Sequence, residues 1–213
     1  MKATKDTVSN LIRQEIINSH LSPNERLVEA DLAKKYNVSR TIIRTALADL
    51  ENERLIEKVP NRGARVRAIS LEEAIEITEV RSTLEPLAAR KAAININEKE
   101  IEQLLIIMKD MKEAHENQNY TLYSKINKQL HNQIYESAHQ LTLKRLLNNL
   151  RAQSVRYQFR LSMMPIRIDS SLSEHIAIVE AVTQKNAELA EEVMFKHINN
   201  MLEAYKNMAN NSY

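Results

Sequence analysis

The sequence predicts a mainly α-helical protein interrupted by one short β-hairpin. Glycine and proline, which most disfavour the interior of a helix, occur once and four times in 213 residues. Apolar residues recur at helical spacing up to about residue 52 and again from residue 71 onward. Between these regions, two short runs alternate apolar with polar residues around the sequence Pro-Asn-Arg-Gly, which is typical of a hairpin. We therefore place a domain boundary near residue 70.

Composition excludes several classes of protein. The chain has no cysteine, so neither disulfides nor thiolate metal sites can form. It has no apolar run of membrane-spanning length, and its first residues do not resemble a signal peptide, so we expect a soluble cytoplasmic protein with no membrane partner. Residues 1–70 carry a net charge of +4, and the rest carry −2. The basic first part suggests a polyanionic partner, although chance variation in surface charge explains the difference equally well.

The first part of the chain has the layout of a winged helix-turn-helix. Helical spacing predicts helices over about 5–19, 28–36 and 39–52, and the hairpin follows them. Ser39 stands where the third helix needs an N-cap. One face of that helix is apolar, and the opposite face carries Arg40, Thr41 and Arg44. This arrangement suits a recognition helix in a major groove, whereas the alternative is a surface helix that happens to carry two arginines.

The remainder of the chain predicts an antiparallel bundle of six helices. Ser70, Asn97 and Asn186 lie at positions suited to N-caps. The predicted helices cover about 71–94, 98–116, 120–137, 141–162, 169–184 and 187–209.

Three histidines fall on the interior faces of three predicted helices. His131, His175 and His197 each lie in an apolar stripe, and Asn127 precedes His131 by four residues on the same face. A single buried histidine is usually a core residue with its own hydrogen bonds. Several buried imidazoles need more partners for their ring nitrogens, and a divalent metal would supply them.

The first part of the chain resembles the DNA-binding domain of GntR-type bacterial transcription regulators. The similar stretch is "LVEADLAKKYNVSRTIIRTALADLENERLIEKVPNRGARV". The resemblance implies that Ser39, Arg40, Thr41 and Arg44 contact a double-stranded DNA operator. It also implies that Arg62 and Gly63, at the tip of the wing, reach the adjacent minor groove.

Family members usually have glycine at four positions where this chain has other residues. We expect Asn24 and Asn37 to hold positive-φ turns, whereas Ser19 and Glu53 indicate that no positive φ is needed at those positions. Because asparagine replaces glycine elsewhere, we interpret the retained Gly63 as a position where the absent side chain lets the wing approach DNA closely.

The body is similar to the FCD ligand-binding domain of the FadR-like branch. The similar stretches are "EVRSTLEPLAARKAA", "LHNQIYESAHQ" and "SEHIAIVEAVTQKNAELAEEVMFKHI". In many such domains an aspartate and three histidines hold a metal beneath a pocket for a small organic acid. His131, His175 and His197 match the histidines, but Asn127 replaces the aspartate. The resemblance thus implies a divalent metal of the Zn, Ni or Mn class, bound weakly, and the rival is an effector bound directly to the histidines.

Arg81 matches a family arginine near the pocket. It would bind the effector carboxylate, or it would form an ion pair with Glu85 at i,i+4. The sequence leaves both alternatives open.

These features predict a homodimeric transcription regulator, more specifically a repressor that a metabolite releases from an inverted-repeat operator. Residues 1–70 would bind DNA, and residues 71–213 would bind the effector and dimerise. The alternative is a metal-dependent helical-bundle enzyme with an accessory DNA-binding part. We favour the regulator because the chain contains no phosphate-binding loop or nucleophile motif, and Glu174 faces away from the side of the helix that carries His175.

Overall fold

The protein is mainly α-helical, as predicted. The computed structural model describes residues 5–18, 20–59, 63–161 and 165–210. The chain forms two compact units, Met1–Ile69 and Ser70–Tyr213. None of the helices in the described ranges is long and apolar enough to cross a membrane.

The described residues of the N-terminal unit form three helices and a small sheet. Its elements are α1 (Lys5–Ile17), β1 (Arg26–Leu27), α2 (Glu29–Tyr36), α3 (Arg40–Asn52), β2 (Ile56–Val59) and β3 (Gly63–Val66). Helix α3 packs against α1 and α2. Ile43 and Leu50 of α3 are fully buried, as are Val8 and Ile12 of α1. Burial of these side chains fixes which face of α3 remains exposed.

The predicted hairpin is present, and a third strand joins it. Strands β2 and β3 pair antiparallel, from Ile56 opposite Val66 to Val59 opposite Gly63. Strand β1 pairs with the other edge of β3, so the strand order is β1-β3-β2. We did not predict β1, because two residues are too few to show the period of a strand.

Two of the four residues that stand where family members usually have glycine have a positive φ. Asn24 and Asn37 have φ of 66° and 52°, as expected. Glu53 has φ of −78° and needs no glycine, because the left-handed residue after α3 is Arg54. Ser19 lies outside the described residues.

The C-terminal unit is a bundle of the six predicted helices. They are α4 (Leu71–Asn95), α5 (Glu98–Glu116), α6 (Tyr120–Ser137), α7 (Leu141–Leu161), α8 (Pro165–Thr183) and α9 (Ala187–Asn210). The predicted start of α8, at residue 169, was wrong. The helix begins at Pro165, because proline is well suited to the first position of a helix.

The predicted N-caps are formed by side chains. Ser70 and Asn97 accept hydrogen bonds from the backbone N–H groups of Glu73 and Glu100, at 3.2 and 3.1 Å, and the Asn97 cap is a complete capping box. Asn186 accepts one from the N–H of Leu189 at 3.1 Å. These caps satisfy N–H groups that a helix leaves unpaired at its first turn, and so they fix where the helices begin.

Helix α4 is central to the bundle. It packs most extensively against α9 and also contacts α6, α7 and α8. The side that α4 buries in the hydrophobic core includes a run of small residues, which permits close approach of a neighbouring helix: Ala88, Ala89, Ala92 and Ala93. The surrounding helices α6, α8 and α9 each bring one of the three interior histidines toward this core.

Candidate functional site

Helix α3 exposes the side chains that a recognition helix needs. Ser39 caps the helix by accepting a hydrogen bond from the N–H of Ile42 at 3.3 Å. Arg40, Thr41 and Arg44 are exposed on the side opposite the buried apolar face. Arginine side chains can reach base edges or phosphates, and a hydroxyl can contact phosphate. The geometry is therefore compatible with a major-groove contact.

Glu29 of α2 holds both arginines of α3. Its carboxylate accepts hydrogen bonds from Nε and an Nη of Arg44 at 3.2 and 3.1 Å, and it lies 3.7 Å from an Nη of Arg40. The hydrogen bond from Arg44 lowers the pKa of Glu29, so the carboxylate is ionised. We did not single out Glu29 in the sequence, because it lies 15 residues from Arg44 and no spacing rule connects the two.

Strand β3 of the wing begins at Gly63, which has a positive φ of 84°. A Cβ built at Gly63 would have the backbone oxygen of Leu27 as its near neighbour, 3.7 Å away, which is an ordinary contact distance. Among the described residues of the wing, packing leaves room for a side chain at this position, although its positive φ is one that residues with a side chain rarely adopt. Arg65 is exposed and pairs with Glu57 across the hairpin at 2.5 Å. Arg62, assigned to the wing tip from the sequence, lies outside the described residues.

The structure brings the three interior histidines together. His131 of α6, His175 of α8 and His197 of α9 are all buried, and each offers one ring nitrogen within 4.8 Å of the other two. The Nε2 atoms of His131 and His175 are 3.4 Å apart. The ring centroids of His175 and His197 are 4.5 Å apart.

Two carboxylates orient two of these rings. The Nδ1 of His131 lies 2.9 Å from Oε2 of Glu85, and the Nδ1 of His197 lies 2.6 Å from Oε2 of Glu174. A carboxylate only accepts hydrogen bonds, so in the neutral ring Nδ1 carries the proton and Nε2 carries the lone pair. This is the arrangement in which histidine ligates a metal.

The third ring is held by hydroxyl groups. The Nδ1 of His175 lies 3.3 Å from the Ser171 hydroxyl and 3.4 Å from the Tyr123 hydroxyl. A hydroxyl can donate or accept, so these contacts allow either tautomer of His175.

A buried ion pair between Arg81 and Glu85 contacts His131 through Glu85. Arg81 contacts Oε1 of Glu85 through Nε at 2.7 Å and through an Nη at 2.6 Å, and both side chains are buried. Burial alone would raise the pKa of Glu85, but the charge of Arg81 and the contact with His131 hold that pKa well below its usual range. The i,i+4 ion pair considered from the sequence is therefore present. The Nη1 of Arg81 is also buried, with no hydrogen-bond partner among the described residues.

The environment of His131 keeps its ring neutral. Burial lowers the pKa of His131 to about 3, and the nearby charge of Arg151 acts in the same direction. Neutral imidazole is the form that coordinates metals.

Asn127 is a fourth candidate metal ligand. Its Oδ1 is buried without a hydrogen-bond partner among the described residues, and it lies one helical turn before His131 on α6. An unsatisfied buried polar group costs about 1–3 kcal/mol, and a bound cation would remove that cost. Two nitrogens bound to one tetrahedral zinc at 2.0–2.1 Å would be about 3.4 Å apart, which matches the observed Nε2 separation. The three histidines therefore fit a divalent metal, and Asn127, one helical turn from His131, is the candidate fourth ligand.

A metal-free arrangement also satisfies the histidines. If Nε2 of His175 carries the proton, it can donate to Nε2 of His131 across the same 3.4 Å, and the Ser171 hydroxyl can donate to Nδ1 of His175. In this arrangement the buried oxygen of Asn127 is left without a partner among the described residues.

Glu174 belongs to the histidine site, contrary to our interpretation of the sequence. We dismissed it because it adjoins His175 on α8 and points away from that ring. It instead reaches across to α9, where it contacts His197 and also accepts a hydrogen bond from Asn200 at 2.8 Å. Only knowledge of how α8 packs against α9 reveals this pairing.

Both units match known protein families. Residues 4–66 match the bacterial regulatory proteins of the gntR family, and residues 76–200 match the FCD domain.

Relatives with similar sequences are transcription regulators. The HTH-type transcriptional regulator YdhC of Bacillus subtilis (strain 168) is 29% identical, over 93% of this chain and 89% of its own length. A probable D-xylose utilization operon transcriptional repressor of Paenarthrobacter nicotinovorans is 27% identical, over 92% of this chain and 88% of its own. The transcriptional repressor RspR of Escherichia coli (strain K12) is 24% identical, over 93% and 87%.

Solved structures show that the fold is shared. E. coli McbR/YncC superposes with a TM-score of 0.83 at 18% identity, covering 98% of this chain and 100% of its own. A GntR regulator of Rhodococcus sp. RHA1 gives a TM-score of 0.78 at 18% identity, covering 98% of both chains. The chain therefore belongs to the gntR family of bacterial regulatory proteins and carries an FCD domain, and it is a transcriptional regulator rather than an enzyme.

Proposed function

We propose that the chain is a metabolite-responsive repressor that binds an inverted-repeat operator as a homodimer. Residues 1–70 bind the operator, and residues 71–213 bind the effector and dimerise. The observation that carries this proposal is the buried cluster of three histidines, two of them oriented by carboxylates, in the unit that follows the DNA-binding elements.

In this proposal α3 enters the major groove of the operator. Arg40 and Arg44 supply donors to base edges or phosphates, while Ser39 and Thr41 contact the backbone of the DNA. Gly63 and Arg62 approach the adjacent minor groove. Support comes from the exposure of the α3 residues and from the space beside Gly63.

We assign Asn127, His131, His175 and His197 as the residues that would hold a divalent metal of the Zn, Ni or Mn class. When bound, the metal supplies a positive centre that attracts the carboxylate of a small organic acid. Glu85 and Glu174 hold the protons on Nδ1 of their histidines, so Nε2 is the ring atom of each that would ligate the metal. Asn127 brings no negative charge, so metal affinity is lower than an aspartate would give.

Arg81 has two roles in the proposal. Its ion pair fixes Glu85, which in turn orients His131. Its Nη1, which has no hydrogen-bond partner among the described residues, is the group that would donate to the effector carboxylate. In the metal-free alternative, the effector bonds directly to the histidines and to this guanidinium.

Repression requires that the effector distinguish two states of the protein. A ligand that binds the DNA-competent and DNA-incompetent states equally cannot shift the equilibrium between them. We therefore expect the effector to bind more tightly to the state that does not hold the operator.

A thermal-shift screen tests the sensor site. Purified protein is stripped with EDTA and heated with Zn²⁺, Ni²⁺ or Mn²⁺, with and without a panel of small carboxylic acids. A ligand that binds the native state raises the unfolding midpoint. We expect a metal to raise the midpoint of the wild type and of His115→Ala, whose histidine lies on α5 outside the cluster, but not of His175→Ala. If acids alone raise the midpoint and metals do not, the metal-free alternative holds. If neither raises it, the proposed sensor is wrong.

A further inference from the structure

The candidate metal ligands bring no negative charge to the histidine site. Asn127 is a neutral amide, and a histidine ligates a metal as neutral imidazole. The three histidines of the cluster are buried, as is the side-chain oxygen of Asn127. A divalent ion held by these four side chains alone would therefore keep both of its positive charges inside the bundle.

The charged side chains already described at this site balance one another. An Nη of Arg81 lies 2.6 Å from Oε1 of Glu85, and Nη1 of Arg151 lies 3.9 Å from Oε2 of the same carboxylate. Arg81 and Arg151 are only 1% and 9% exposed, so both guanidinium charges lie inside the bundle. Glu85 and Glu174 together offset these two arginines and leave no negative charge for a bound dication.

We propose that the carboxylate of the effector supplies the missing negative charge, so that metal and effector bind together and each raises the affinity of the other. This proposal rests on the sensor site of the proposed function and specifies how its two ligands are linked. Moving a divalent charge from water into a buried site is costly unless an anion accompanies it. Zinc sites with few protein ligands take a further ligand at an open position, and an anion can fill it.

Arg81 gives a second and independent reason to expect an anion. Its Nη1 is buried and has no hydrogen-bond partner among the described residues. A buried donor is costly to leave unpaired, and a carboxylate is the acceptor that suits a guanidinium best. Both the metal and Arg81 therefore favour an anionic effector over a neutral molecule of the same shape.

Linkage makes such a site respond to a pair of ligands rather than to either one alone. If the acid raises metal affinity by some factor, the metal raises acid affinity by the same factor. Asn127 is the residue that sets this behaviour, because an aspartate in its place would bring a negative charge to the metal permanently. The amide leaves that charge to be supplied by the effector.

A comparison of acids with their amides tests the coupling. Competition with a chromogenic chelator gives the Zn²⁺ Kd of the full-length protein at fixed pH and ionic strength, corrected by samples without protein. The titration is repeated with acetate, propionate and benzoate, and with acetamide, propionamide and benzamide. We expect at least one acid to lower the Zn²⁺ Kd about tenfold or more, within the usual range for coupled sites, and no amide to change it. Calorimetry should show that Zn²⁺ tightens binding of that acid by the same factor.

Asn127→Asp tests whether the amide is the cause. The aspartate makes the ligand set anionic, so this variant should bind Zn²⁺ tightly without an acid and lose most of the acid effect. Asn132→Asp adds the same charge to α6 off the face of His131, and it should keep the acid dependence of the wild type. Circular dichroism checks that each variant is folded, and the comparison of acids with amides in the wild type decides the coupling without them.

The outcomes separate a failure of the coupling from a failure of the sensor site. If the wild type binds neither Zn²⁺ nor any of the acids, the proposed sensor itself is wrong. If Zn²⁺ binds equally well with and without the acids, the metal site stands and the coupling is overturned. An amide that acts as strongly as its acid overturns it as well, because charge is then not the cause. Equal acid dependence in Asn127→Asp and Asn132→Asp would overturn the role of the amide.

Discussion

At the scale of single residues, Glu29 controls how the two arginines of α3 are presented. Its carboxylate engages Nε and one Nη of Arg44, and the Arg44 side chain is still 70% exposed. A guanidinium fixed in this way loses less freedom when it binds a guanine edge. The same carboxylate repels phosphates, so it weakens binding to DNA of any sequence.

We predict that Glu29→Gln weakens discrimination between DNA sequences. Binding to random-sequence duplex should strengthen, and the preference for an operator selected from a random pool should fall, by about 1 kcal/mol or less as for an exposed ion pair. Fluorescence anisotropy at fixed salt measures both affinities. Asp31→Asn removes the same charge from the exposed surface of α2 and serves as the control. An equal change in both variants would show that only net charge matters.

Arg44 should read a base rather than only a phosphate. Arg44→Ala is expected to weaken binding to the selected operator by about 1–3 kcal/mol. Arg44→Lys retains the charge but loses the planar guanidinium group. Compared with Arg44→Ala, it should therefore regain affinity for random-sequence DNA but not the preference for the operator. Unchanged operator affinity in Arg44→Ala, measured at the same salt concentration, would refute the base contact.

Asn127→Asp should tighten metal binding, because a carboxylate adds a negative charge at the buried Oδ1 position. We expect a gain of about tenfold or more, since even partners that touch a metal ligand without touching the metal are worth 10–100-fold. Competition with a chromogenic chelator measures the affinity. Asn132→Asp adds the same charge on α6 but off the face that carries His131. If the two variants bind metal equally, Asn127 is not a ligand.

The sequence predicted the histidines of this site but not the residues that hold them. His131, His175 and His197 could be found because helical phase alone tells which residues face an interior. Glu85 and Glu174 act on histidines of neighbouring helices, 46 and 23 residues away, and phase within one helix carries no information about those pairs.

At the scale of elements, local capping made most of the architecture predictable. The helices that begin after Ser70, Asn97 and Asn186 start where these caps indicate, because a side-chain oxygen satisfies the first free N–H groups of a helix. Strand β1 depends instead on pairing with β3, which is far away in the sequence. The two residues of β1 have no pattern of their own that could predict a strand.

At this scale, a substitution of Gly63 in the wing tests why glycine is present there. Gly63→Asn should preserve the hairpin with some strain, since a side chain at φ of 84° is strained even where space allows it, and asparagine tolerates positive φ better than most residues. Operator binding should nevertheless weaken by about tenfold, or about 1.4 kcal/mol, because the new side chain would lie between the wing and the DNA. Circular dichroism checks the fold, and anisotropy checks the affinity. Retained affinity would mean that Gly63 serves the turn alone.

At the scale of the whole molecule, the proposed function requires thermodynamic linkage between the two units. The N-terminal unit presents the exposed face of α3, and the C-terminal unit holds the histidine cluster. If an effector at the cluster lowers operator affinity, the operator must lower effector affinity by the same factor.

The most direct test is an operator titration in the presence and absence of the sensor ligand. Anisotropy gives the operator Kd of wild type, His115→Ala and His175→Ala, each with EDTA, with the stabilising metal, and with that metal plus the stabilising acid. We predict that the ligand changes the Kd of wild type and His115→Ala by about 5–150-fold, the usual range for coupled sites, and leaves that of His175→Ala unchanged. An equal change in His175→Ala, or no change in a wild type that the ligand stabilises, would contradict the account.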